Sequence, residues 1–129
     1  MECQGEGCIV GCDALNLCVA TCDDACTVDC NDLDDCDVQC ANDCAVTCDS
    51  LSTCQAACGE RCSYDCRNAS DCDVVVGDAS SVDCHSVGRC AVSCDGACEV
   101  DCSNAGQCDV GCAGGAAAEV FEGGRYVCG

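Results

Sequence analysis

The residues able to do chemistry in this chain are its cysteines, 24 among 129 residues, and they return on a period of 18. One column runs Cys12, Cys30, Cys48, Cys66, Cys84, Cys102, and a second runs Cys18, Cys36, Cys54, Cys72, Cys90, Cys108. Two more follow the same clock: Cys22, Cys40, Cys58, Cys94, Cys112, and Cys8, Cys26, Cys44, Cys62, Cys98. Thiols in this number can cross-link, hold soft metal ions or exchange electrons. No C-x-x-C occurs, which removes the usual spacing of zinc ribbons, thioredoxin-like centres and ferredoxin-type clusters. With one Phe, no Trp and a formal charge of -20, the core would be thin without its cysteines. It must be cross-linked or filled.

Spacing favours cross-links. Across the longer turn, C-x5-C predicts Cys12 with Cys18, Cys30 with Cys36, Cys48 with Cys54, Cys66 with Cys72, Cys84 with Cys90 and Cys102 with Cys108. Across the tighter turn, C-x3-C predicts Cys22 with Cys26, Cys40 with Cys44, Cys58 with Cys62 and Cys94 with Cys98. One tight turn lacks both cysteines together, with Val76 and Ser80 in their places. Joint loss is what a bonded pair predicts. Cys3 with Cys8 and Cys112 with Cys128 would complete the set. The other regular option pairs Cys18 with Cys30, Cys36 with Cys48 and so on around the coil, which strands Cys12 and Cys108. Each short bridge contributes roughly 2 kcal/mol in the chain-entropy model. Folded domains hold a net balance of only about 5 to 15 kcal/mol, so reduction should unfold this one.

The elements that must position these sulfurs follow from the same repeat. Each period reads C-x-V-x-C, three residues, C-x-V-x-C, five residues, as in CAVSC, DGA, CEVDC, SNAGQ between Cys90 and Cys108. Alternation within C-x-V-x-C is strand periodicity, with Cys and Val on one face. A repeat this short cannot bury its own apolar face and must stack on its neighbours. The expectation is an all-β parallel β-solenoid of about six to seven 18-residue coils, two short strands per coil, rising roughly 4.8 Å per coil. Its inner positions are Ala20, Val38, Ala56, Val74, Val92, Val110 in one strand and Val10, Val28, Val46, Tyr64, Val82, Val100 in the other. Leu15, Leu33, Leu51, Ala69, Val87 and Ala105 should tuck in from the longer turn. The absence of proline suits strands that all donate to a ladder.

The chain reads as one solenoid domain over 1–129, with an N-terminal cap (1–7), repeats (8–112) and a C-terminal cap (113–129). Val120, Gly123 and Tyr126 fall in register with Cys102, Ala105 and Cys108, which predicts a final half turn with Tyr126 and Phe121 over the open core. The repeat resembles the disulfide-cored β-solenoids, of which the beetle antifreeze proteins are the familiar case, and the cysteine-rich tandem repeats of microbial extracellular proteins. That resemblance covers Cys8 to Cys112. Ice binding does not carry over, because it depends on a T-x-T face and this chain has no T-x-T.

These readings predict a non-enzymatic, disulfide-laddered spacer or display module of a secreted protein, monomeric, needing no cofactor or metal. The alternative is a thiolate store for Cu(I) or Zn(II), since soft thiolates select those ions. A third reading is an acidic module that binds Ca²⁺ or a basic partner. Asp29, Asp65, Asp83, Asp101 and Glu119 share one outward column interrupted by Thr47, and Asp32, Asp34, Asp35 and Asp37 cluster without the glycine and terminal Glu of an EF-hand loop. Only four arginines face 24 carboxylates, which argues against nucleic acid and anionic membranes. His85 is expected on the surface, and Asn68-Ala69-Ser70 fits a glycosylation sequon on an exposed turn. No stretch is apolar enough to span a membrane. Met1 is followed by Glu2 and Cys3 with no leader, so bridges would imply a mature or excised part of a protein from an oxidising, extracellular compartment.

Overall fold

A computed structural model describes residues 2–3, 7–13, 16–32 and 34–128, with the side chains of 2, 3, 13 and 103 outside the description. The chain is a parallel β-solenoid of stacked coils of about 18 residues, about five turns in all. One wall stacks β2 (Ile9–Asp13), β4 (Thr27–Asn31) and the first halves of β6 (Ala45–Ala57), β7 (Ser63–Val76), β8 (Ser80–Cys94) and β9 (Cys98–Gly111). The facing wall stacks β1 (Glu2–Cys3), β3 (Leu17–Cys22), β5 (Asp35–Gln39) and the second halves of β6 to β9.

Register follows the repeat. Val10, Val28, Val46, Tyr64, Val82 and Val100 stack in one wall, and Ala20, Val38, Ala56, Val74, Val92 and Val110 in the other. Burial alternates along each strand, as in eBeBeB over β3, because successive side chains point to opposite faces. Leu51, Ala69 and Val87 are buried and Ala105 is half-buried; Leu15 and Leu33 lie outside the described residues. Tyr64, the one aromatic in the valine columns, is 3% exposed, with its hydroxyl 3.8 Å from Cys48 Sγ.

Both turns are more ordered than loops. From β6 onward the strand runs through the longer turn, where Leu51 pairs with Ala69 and Val87 with Ala105. The chain bends there at left-handed residues 18 apart, Asp32, Ser50, Asn68 and Ser86. Tight turns repeat the device at Ala25, Asp43, Arg61 and Ala79. Left-handed backbone costs roughly 1 kcal/mol for a residue with a Cβ. Here it turns the N–H of Ala25, Asp43 and Arg61 toward the carbonyls of Asn42, Glu60 and Asp78 in the next coil, each at 2.9 Å.

The C-terminal end corrects one expectation. Val120, Gly123 and Tyr126 do not extend the coil. The chain reverses through Gly114 and Gly115, then again at Gly123 and Gly124, all at positive φ. β10 (Glu119–Phe121) and β11 (Arg125–Cys128) form a hairpin, and β11 runs antiparallel to β9, with Tyr126 opposite Val100 and Cys128 opposite Cys98. Tyr126 does pack on the core. Phe121 stays 48% exposed under the Arg125 guanidinium, 5.6 Å from its ring centre. At the other end, Glu2–Cys3 adds a short parallel strand beside Thr21–Cys22.

Candidate functional site

The interior cysteines form an extended chemical feature that the repeat builds coil by coil. The structure joins Cys12–Cys18, Cys30–Cys36, Cys48–Cys54, Cys66–Cys72, Cys84–Cys90 and Cys102–Cys108 across the longer turn. Their Cα atoms lie 6.1 to 6.6 Å apart, a separation a bridge spans without moving the backbone. The around-the-coil alternative is not formed. Cys58–Cys62 and Cys94–Cys98 close two tight turns, and Cys112–Cys128 ties the hairpin to the last coil. Cys8 is bridged as well; the expected partner, Cys3, has its side chain outside the described residues.

Two expected pairs are absent. Cys22, Cys26, Cys40 and Cys44 are thiols, although they have the C-x3-C spacing of the bridged turns. Cys22, Cys26 and Cys44 are buried and Cys40 is half-buried. Their sulfurs are satisfied by hydrogen bonds. Cys22 interacts with Cys26 in its own coil and with Cys40 in the next, and Cys40 with Cys44. The Cys44 thiol donates to the carbonyls of Asp23 at 3.5 Å and Asn42 at 3.6 Å. Burial, then the hydrogen bond and charge of Cys26, push the Cys22 thiol up to about 11. Burial and Cys44 push Cys40 up further.

A sequence signal separates the two kinds of turn. The bridged turns contain a glycine, Gly59 in Cys58–Cys62 and Gly96 in Cys94–Cys98, whereas 23–25 and 41–43 have none. A Cβ on Gly59 would lie 2.7 Å from the Ala41 carbonyl oxygen, and Gly96 sits at φ +154 with Asp78 2.9 Å from where its Cβ would be. The coils therefore pack more closely there than a side chain allows. In the turn without cysteines, Val76 fills the apolar position at 1% exposure. Ser80 is 4% exposed, and its hydroxyl accepts the Cys62 N–H at 3.1 Å.

A second ladder, which the sequence reading missed, runs along the tight turns. Asp24 Oδ1 accepts the Asn42 N–H at 3.0 Å, Asn42 Oδ1 accepts the Glu60 N–H at 2.8 Å, and Asp78 Oδ1 accepts the Ala97 N–H at 2.9 Å. The signal was Asp or Asn at positions 24, 42 and 78, on the repeat clock. Each of these side chains satisfies a backbone donor of the next coil.

On the outer surface, Asp29, Thr47, Asp65, Asp83 and Asp101 stack in one column. Glu119 does not join it; the hairpin places Arg125 opposite Asp101 instead. Partial desolvation, then Asp65 and Asp101, hold the Asp83 carboxyl above its usual value. The four arginines all have carboxylate partners: Arg61 with Asp43 at 2.7 Å, Arg67 with Asp65 at 2.5 Å, Arg89 with Asp109 at 3.9 Å, and Arg125 with Glu99. Arg61 holds the Asp43 carboxyl below the usual range. In the expected Asp32, Asp34, Asp35, Asp37 cluster, Asp34 gives its backbone carbonyl to Ser52 and Thr53, both at 3.0 Å. The groups able to surround an ion among the described residues contain cysteine alone. His85 and Asn68 are exposed, the latter bonded to Asp49 Oδ1 at 3.0 Å. A shallow open groove of about 520 Å³ lies beside the hairpin, with Val92, Cys108, Val110, Ala118 and Tyr126 on its walls. Among the described residues no helix is long and apolar enough to cross a membrane. The chain matches no family model, no curated protein and no solved structure.

Proposed function

We propose that this chain is a rigid structural module, a spacer or display rod of a secreted protein, without enzymatic activity. The observation that carries the reading is the bridge across the longer turn in each of six successive repeats, from Cys12–Cys18 to Cys102–Cys108. Each bridge closes the longer turn of its own coil and so fixes that coil's path. It fits an oxidising environment, where disulfides persist. The acidic exterior supports the same reading: a charge of -20 keeps rods apart in solution.

The test is resistance to heat and protease with and without reductant. A rod of this kind stays folded well above ordinary domain melting temperatures and resists digestion until its bridges are reduced. Cleavage throughout the repeats before reduction would contradict the proposal. The interior as a whole does not suit a metal store, because most of its sulfurs are already committed to bridges.

A further inference from the structure

Two bridges meet where the C-terminal hairpin crosses the last tight turn. Cys94–Cys98 closes that turn, and Cys112–Cys128 ties the hairpin to the end of β9. The sulfurs of Cys94, Cys98 and Cys128 all lie within 4.8 Å of one another, and Cys128 stands directly opposite Cys98 in the antiparallel ladder between β11 and β9. Opposed residues of such a ladder have Cα atoms roughly 4.5 to 5.5 Å apart, a separation that a disulfide spans. Burial is unequal within the group: Cys94, Cys98 and Cys128 are buried, while Cys112 is half-buried. Cys112 also lines an open cavity of about 450 Å³, between the turn residues Gly96 and Ala97 and the hairpin residues Glu119 and Val127. Glu119 is the one charged side chain on its walls.

We infer that Cys112 is a thiol-exchange site: a small cationic aminothiol enters this cavity, bonds to Cys112 and moves the hairpin's tether from Cys112 to Cys98. The incoming thiolate attacks the Cys112 sulfur, the Cys112–Cys128 bond breaks, and Cys128 leaves as a thiolate. Cys128 then attacks the Cys98 sulfur, the Cys94–Cys98 bond breaks, and Cys94 leaves and takes up a proton in place of the one the aminothiol gave up. One thiol is consumed and one is produced while the number of disulfides stays the same, so no further oxidant or reductant is needed. Half-burial selects Cys112 as the sulfur attacked, since its partner Cys128 is only 2% exposed. Cys98, beside the released sulfur, reseals the hairpin. Cys108 makes the contrast: it too is half-buried and lines a groove, but its ladder neighbour Cys90 stands beside the sulfur under attack, not beside the released Cys102. Glu119 and the chain's charge of -20 favour a thiol that carries positive charge. The rod thereby gains an attachment point at its capped end while the hairpin stays covalently held, a role that rests on the bridged-rod reading.

The test uses the full chain with its native bridges, exposed briefly to cysteamine, quenched in acid, alkylated and mapped by unreduced peptide mass spectrometry. The expected result is one cysteamine adduct, on Cys112, a new Cys98–Cys128 bridge and a new alkylated thiol at Cys94, with the six long-turn bridges intact. Cysteamine should form the adduct roughly tenfold faster than the anionic 2-mercaptoethanesulfonate at equal thiolate concentration and low salt, and added salt should narrow that gap. Glu119→Gln should narrow it as well, with the adduct still on Cys112. In Cys94→Ala with Cys98→Ala, whose fold is checked by circular dichroism, the adduct should remain on Cys112 and the new thiol should be Cys128. A first adduct on Cys8, Cys58 or Cys108, the other half-buried bridged cysteines, would overturn the site. So would a thiol left at Cys128 in the unaltered chain, equal rates for the two reagents, or no adduct while the long-turn bridges stay closed. Opening of the long-turn bridges under the same brief exposure would count against the bridged rod itself, which separates the two failures.

Discussion

The first two tight turns and the later ones share spacing, column and wall, yet they are held together differently. Cys58–Cys62 and Cys94–Cys98 are covalent and carry a glycine, whereas Cys22/Cys26 and Cys40/Cys44 are hydrogen-bonded thiols without one. The ends differ in the same sense. The C-terminal end is closed by a hairpin that Cys112–Cys128 ties down, while among the described residues β2 pairs with β4 alone and Ile9 is 82% exposed. A repeat with near-identical units can thus grade its stability along the axis by changing only the turn chemistry, because each coil contacts mainly its neighbours.

The largest expected effect erases the comparison. Full reduction removes roughly 2 kcal/mol per short bridge, more in total than a typical folding balance, so the β-sheet circular dichroism should collapse. A reduced chain that keeps its spectrum would mean the stack holds without covalent help. A smaller effect isolates the two kinds of turn. Cys58→Ala with Cys62→Ala, and Cys40→Ala with Cys44→Ala, remove side chains of matching burial. In metal-free protein the first double variant should cost about 2 kcal/mol more in chemical denaturation, the loop-closure contribution of the bridge. Equal losses would mean that both turns share one redox state.

Glycine gives the next contrast. Gly59→Ala must displace the Ala41 carbonyl, while Gly11→Ala meets nothing within 4 Å. The first should destabilise by about 1 to 3 kcal/mol and the second should stay near neutral, as read from melting curves. Ala79→Gly relieves a left-handed alanine and should stabilise by at most about 1 kcal/mol.

Acidity has the smallest effect, and its sign is fixed by two carboxyls. Asp83 binds its proton more tightly folded than unfolded, so its contribution improves as pH falls from neutral toward its raised pKa and is complete below the unfolded value. Asp43 is the reverse: its pairing with Arg61 stabilises above the unfolded carboxylate value and is lost as pH falls through its lowered one. The melting temperature should therefore rise slightly on mild acidification and fall again in stronger acid. Asp83→Asn should flatten the rise and Asp43→Asn the fall.

The 18-residue clock and alternating Cys and Val made the coil, its inner face and its long-turn geometry legible in the sequence. These features depend on periodicity alone. The fate of Cys22, Cys26, Cys40 and Cys44 was not legible in the C-x3-C spacing, which reads the same for a bridge and a thiol pair; the difference in sequence is the glycine that the two bridged turns carry. The hairpin was hidden by coincidence. Val120, Gly123 and Tyr126 keep the spacing of a coil, but the two glycine pairs beside them reverse the chain. The ladder of Asp and Asn acceptors was not legible because these residues are common in turns whether their side chains face water or accept a hydrogen bond from the next coil.

Peptide-level mapping after alkylation of the denatured, unreduced and metal-free chain tests the central claim most directly. The account predicts label on Cys22, Cys26, Cys40 and Cys44 and intact bridges from Cys12–Cys18 through Cys102–Cys108. Label spread across the long-turn cysteines would contradict it.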